Sequence, residues 1–187
     1  SDLLMAQIDY AVQGAELAQR ACSGAGAAQP LRESMARVER QGDATRAALI
    51  DCMAASLTTH LEREDLFRAS RSIDNVLDNL RDLVHEVAVW ETNPNRAVIE
   101  AIEPVKKSLR ALRAGVCERD LRAARPQCLD ARKAAGHMRR HYQNGLAEVF
   151  GQELTMDTLK QREIMRRLDI IGLCLTCLLY TSPSPRD

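Results

Sequence analysis

Residues 62–86 read EREDLFRASRSIDNVLDNLRDLVHE, and the spacing of the apolar side chains in this stretch decides the fold. Leu66, Ile73, Leu77, Leu80 and Val84, followed by Val87, recur at intervals of three, four and seven residues. That is the period of a helix with one buried stripe. Beside the stripe, Asp74, Asp78, Asp82 and Glu86 recur at every fourth position. Like charges at i,i+4 cost an isolated helix roughly 0.2–0.5 kcal/mol per pair, so this acidic row needs a partner elsewhere in the molecule.

The same period appears on both sides of the stretch. A first helix is predicted over about Leu3 to Ala21, with Leu4, Ile8, Ala11, Ala15 and Ala18 on one face. The linker SGAGAAQP (Ser23 to Pro30) ends it. A second runs from about Leu31 to Thr59, with a seam of small residues repeating every 3.5 positions: Met35, Val38, Gly42, Thr45, Leu49, Cys52 and Ser56. The third spans about Glu62 to Trp90. TNPN (Thr92 to Asn95) then breaks the pattern and supplies a cap for a fourth helix, which uses Val98, Ile102, Val105, Leu109, Leu112 and Val116. Pro104 predicts a kink or a boundary near Glu103. A fifth helix is expected over about Gln127 to Phe150, closed by Gly151, and a sixth from near Thr155.

RVERQGDATR (Arg37 to Arg46) aligns weakly with RKAAGHMRR (Arg132 to Arg140), placing Gly42 on Gly136. The expectation is therefore an all-α chain of two repeated three-helix bundles, residues 1–91 and 92–176, the last helix truncated. The closing CLLYTSPSPRD (Cys177 to Asp187) matches the usual translated form of a transposase sequencing adaptor and is set aside from the fold. No initiator Met or signal-peptide pattern opens the chain, so the start is also read as cut short.

Composition narrows the function. Lys plus Arg and Asp plus Glu both total 26, so no net field draws the chain to nucleic acid or to an anionic membrane. Setting Cys177 aside, five scattered cysteines are read as small apolar side chains in a reducing cytoplasm. No Glu-x-x-His set, Gly-rich phosphate loop or recognisable Ser/His/Asp motif is present, which argues against an enzyme. His60 and His85 stand singly. His137 and His141 form an i,i+4 pair among arginines, with no acid beside them.

An antiparallel hairpin of the second and third helices, turning near His60 and Leu61, brings together residues whose numbers total about 121. That register levels Asp43 with Asp78 and Glu39 with Asp82, with Asp74 one turn nearer the tip. Glu39 and Asp43 follow the seam residues Val38 and Gly42, as Asp74 and Asp78 follow Ile73 and Leu77. The four carboxylates therefore flank one seam. Grouped acids repel and hold their protons more tightly. A hard multivalent cation reverses that repulsion, whereas Arg40, Arg46, Arg71 and Arg81 offer screening on a merely solvated face.

Residues Leu57 to Asp82, LTTHLEREDLFRASRSIDNVLDNLRD, preceded by VERQGDATR (Val38 to Arg46), resemble PhoU-like phosphate-transport regulators. The closer likeness is to the branch that accompanies low-affinity, Pit-type phosphate transporters. The resemblance covers nearly the whole chain up to Cys177 and is strongest from Arg37 to Asp82. It implies two repeated three-helix bundles with multinuclear iron or zinc held by E/D-x-x-x-D motifs, here Glu39, Asp43, Asp74 and Asp78. It also implies a cytoplasmic, non-enzymatic regulator of phosphate uptake. The expected partner is an inorganic phosphate transporter or its signalling partner. Membrane association would run through that partner alone, and self-association into an oligomer is a further expectation. The second half departs from the pattern, with Lys133, His137 and Leu173 at three of the four matching positions and Asp169 at the fourth. The alternative from the residues themselves is a helical adaptor without a metal site.

Overall fold

The computed structural model describes residues 2–55, 60–118 and 121–181; among them six α-helices form and no strand does. They are α1 (Asp2–Cys22), α2 (Ala28–Ala55), α3 (His60–Val89), α4 (Arg96–Cys117), α5 (Leu121–Phe150) and α6 (Met156–Thr181). The turn expected near His60 and Leu61 is not there: both residues belong to α3, and residues 56–59, between α2 and α3, lie outside the described residues. No described helix is long and apolar enough to cross a membrane.

Helices α1, α2 and α3 pack against one another, as do α4, α5 and α6. The triplets meet along α1–α4 and α3–α6, so α1, α3, α4 and α6 form a closed ring. Helix α2 lies over α1 and α3, and α5 over α4 and α6. A single apolar cluster runs through both triplets, from Ile8, Ile73 and Leu80 to Ile102, Leu109, Ile164 and Leu168. The expected division near residue 91 is therefore a chain boundary with a shared core across it.

The predicted stripes of α1 and α4 are buried, except that Val116 is only half-buried. Helix α3 buries a wider face than its predicted stripe: Val76 and Leu83 join Ile73, Leu77, Leu80, Val84 and Val87, while the predicted Leu66 is only half-buried. The reason is that α3 is flanked by α1, α2 and α6. In α2 the buried residues are Leu31, Met35, Val38, Gly42, Leu49 and Met53. The expected Cys52 is exposed and Thr45 is half-buried, while Ser56 lies outside the described residues. A straight helix turns every 3.6 residues, so five turns from Met35 reach Met53, whereas a 3.5-residue seam drifts to Cys52. Of the six cysteines, Cys22 alone is buried, its thiol pushed up to about 12 by desolvation; Cys52, Cys117 and Cys177 are exposed.

Two other expectations are corrected. Helix α4 runs unbroken through Pro104, where a boundary was one of the two readings. Val98, Ile102, Val105 and Leu109, buried on both sides of the proline, hold the helix together despite the one lost backbone hydrogen bond. Gly136, aligned with Gly42, is exposed, and a Cβ there would have no neighbour within 4 Å. At Gly42 the same atom would lie 2.5 Å from Leu77 Cδ2. The α5 glycine pressed against its neighbours is Gly145, whose added Cβ would meet Met165 Cε at 2.7 Å and Ala97 Cβ at 2.9 Å. Helix α6 extends past residue 176. It stays helical to Thr181, and Leu178 and Leu179 are buried because they continue the stripe of Ile164, Leu168, Ile171 and Leu175.

One polar pair pins α1 to α3 inside this core. Gln7 Nε2 donates to the Ser70 carbonyl at 2.9 Å, and Ser70 Oγ donates back to Gln7 Oε1 at 2.8 Å, both residues being buried. Buried amides and hydroxyls are costly when left unpaired. Gln7→Leu is expected to lower the unfolding free energy by about 1–3 kcal/mol, measured by urea denaturation. An unchanged midpoint would show that the pair contributes nothing net.

Candidate functional site

Helices α2 and α3 place the acidic residues. Arg46 Nη1 lies 2.9 Å from Asp74 Oδ2, and Arg81 is paired with Glu39. Both cross-helix pairs fall within one residue of the antiparallel register expected from the hairpin. All four predicted residues share the face between the helices. Asp74 is within hydrogen-bonding reach of Asp43, and the charges of Asp43 and Glu39 both act on Asp78. Asp43 is exposed, while Glu39, Asp74 and Asp78 are partly buried.

Arginines of three helices pair with the acidic row of α3. Arg46 reaches Asp74 from α2. Arg81, on α3 itself, serves Glu39, Asp78 at 3.4 Å and Asp82 at 3.2 Å. Arg167 of α6 pairs with Glu86, lies 3.2 Å from Asp82 and donates to Asn79 Oδ1 at 3.0 Å. The geometry of a helix explains the division. Each step of four residues advances roughly 40° around the axis, so the row swings by roughly 120° from Asp74 to Glu86. Its first half faces α2 and its second half faces α6. Arg167 was not legible as a partner, because nothing local connects it to a row some eighty residues earlier. The predicted screening by Arg46 and Arg81 is present. Arg40 and Arg71, also proposed for it, are exposed, and neither forms an ion pair among the described residues.

The arrangement leaves electrostatic stress on two groups. Desolvation raises Asp74 to about 6; the Arg46 guanidinium opposes this, and Asp78 and Asp43 add to it. Desolvation also raises Asp78, with Arg81 opposing and Asp43, Glu39 and Asp82 contributing. Burial first, and the neighbouring acids second, therefore disfavour the charged carboxylates by more than the arginines offset.

As donors, four carboxylates on one face suit a hard cation or zinc. As positioned, Asp74 pairs with Arg46, and Glu39 and Asp78 with Arg81, and the four do not converge on one point. Among the described residues, no group of three His, Cys, Asp or Glu side chains is placed to hold a metal ion. A cation seated among Glu39, Asp43 and Asp78 would have to displace Arg81. In the second half, Asp169 lines a groove with Arg139, Tyr142, Gln143 and Leu173, without a second carboxylate. His137 and His85 are exposed. The side chain of His60 lies outside the described residues.

No protein-family model matches the chain, and no curated protein matches it either.

Proposed function

We propose that this chain is a non-enzymatic accessory protein that regulates inorganic phosphate transport, acting in the cytoplasm by docking on a transporter or its signalling partner. The resemblance of residues Arg37 to Asp82 to PhoU-like regulators supports this reading. So does an acidic face whose Asp74 and Asp78 carry charge at a cost to the fold. Residues that strain a fold are retained where they serve something else. In this reading Glu39, Asp43, Asp74 and Asp78 receive iron or zinc, and the metal neutralises the face in exchange for Arg81. Self-association belongs to the same reading.

A second reading has a specific observation in its favour. Arg46, Arg81 and Arg167 already pair with Glu39, Asp74, Asp78, Asp82 and Glu86, as a helical adaptor without a metal site requires. Elemental analysis separates the two. The full chain, purified without a metal-affinity tag, is compared with the Asp43→Asn/Asp78→Asn variant. Stoichiometric iron or zinc that disappears in the variant is the expected result. Equal trace metal in both leaves the adaptor reading. The phosphate assignment has its own test: deleting the gene should alter phosphate uptake, and unchanged uptake would remove that part of the proposal.

A further inference from the structure

We propose that the α5–α6 end of the molecule is a docking surface for a basic amphipathic helix of a partner protein. This inference does not depend on the phosphate reading. Eight large apolar side chains are strongly exposed among the described residues, and four of them, Phe150, Leu154, Met156 and Leu159, lie within ten consecutive positions. The first three are 67%, 79% and 69% exposed. Scattered exposed apolar residues are ordinary, but a group of this kind on one turn marks an interaction site.

The turn is built, not loose. Gly151 N donates to the Ala147 carbonyl at 3.0 Å and Gln152 N to that of Val149 at 3.2 Å. Thr155 and Thr158 cap α6 reciprocally: Thr158 N donates to Thr155 Oγ1 at 3.2 Å, and Thr155 N donates to Thr158 Oγ1 at 2.8 Å. Thr158 Oγ1 also donates to the carbonyl of Glu153 at 3.2 Å. The apolar side chains are thus carried on a preorganised frame, which lowers the entropy lost on binding.

Charge selects the occupant. Glu148, Glu153 and Asp157 surround the apolar residues, are exposed, and form no ion pair among the described residues. The one cation within residues 148–160, Lys160, is committed to the Trp90 carbonyl at 2.7 Å. A second copy of this chain would bring three unpaired acids against three, and an anionic membrane would repel them. A helix with leucine-like residues on one face and lysine or arginine on its flanks satisfies both the apolar turn and the acids.

The test uses the full chain and a labelled synthetic helix of leucine and lysine at helical spacing, followed by fluorescence anisotropy at physiological salt. Saturable binding is expected. Phe150→Ser/Leu154→Ser should weaken it about tenfold or more. Glu153→Lys/Asp157→Lys should weaken it and flatten its salt dependence. All four positions are exposed, so the thermal melts of both variants should match that of the parent. The proposal is overturned by unchanged binding in either variant, or by equal binding of a leucine–glutamate helix. It is also overturned if sedimentation shows a dimer that Phe150→Ser/Leu154→Ser abolishes, or if anionic vesicles bind more tightly than the peptide.

Discussion

Leu77→Ala is expected to lower the unfolding free energy by about 3–5 kcal/mol, the range for emptying a well-packed leucine site. Leu77 is buried where three helices meet. A Cβ added at Gly14 of α1 would lie 2.7 Å from its Cδ1, and one added at Gly42 of α2 would lie 2.5 Å from its Cδ2. The two glycines are the slots into which this α3 side chain fits. Gly42→Ala in the parent chain therefore sets overpacking of about 1–3 kcal/mol against a gain of about 1 kcal/mol in helix propensity. In the Leu77→Ala background the added methyl enters the vacated space, and the same substitution should become stabilising. A double-mutant cycle by denaturant unfolding reads the difference as a coupling of about 1–3 kcal/mol. Independent effects at the two positions would show that Leu77 does not occupy the slot. The packing also bears on the site, since Leu77 fixes the height and rotation of α3 and hence of Asp74 and Asp78.

Asp74→Asn is expected to stabilise the protein at pH 7 in the presence of a chelator, although it removes one member of an ion pair. The folded-state pKa of Asp74 is about 6 against an ordinary value of 3.8. Between about pH 4 and 6 the folded protein therefore holds more protons than the unfolded chain, and stability falls as pH rises through that window. The full interval corresponds to on the order of 3 kcal/mol, and the Asp74 side chain is only 12% exposed, so solvent screens little of it. Asparagine mimics the protonated form. The variant should match the parent near pH 4, exceed it at pH 7, and show a shallower decline between the two. Equal pH profiles would mean that Arg46 fully offsets the buried charge. If iron or zinc occupies the face, adding it to the chelator-free protein should reverse the order at pH 7, because the parent gains a bound ion that the variant holds less well.

Local sequence carried much of this molecule. The 3.6-residue spacing of Leu4 to Ala18 and of Val98 to Leu112 is enough to give two helices and their buried faces, because a helix must bury one stripe. A break and a helix cap within TNPN were equally legible, and the structure assigns the cap to Asn95, whose side chain accepts from Val98 N at 3.0 Å. So was the meeting of Glu39, Asp43, Asp74 and Asp78 on one face, since a short connection between two long helices leaves an antiparallel hairpin as the arrangement. Less legible were the features that depend on a third element. Val76 and Leu83 are buried because α1 and α6 flank α3 on further sides, and no period within α3 announces how many neighbours it has. The Gly42–Gly136 match failed for the same reason. A glycine is pressed by whatever side chain packs opposite, and that side chain belongs to another helix.

The sequence by itself therefore determined the helical class, the buried stripes of α1 and α4 and the membership of the acidic face, all set by contacts within one helix or one hairpin. Tertiary structure decided that the two triplets share one core, that α6 continues through Leu178 and Leu179, and that Arg167 takes the second half of the acidic row. Those outcomes rest on the α1–α4 and α3–α6 contacts. They join residues far apart in the chain, where burial and charge pairing are fixed by which helices meet.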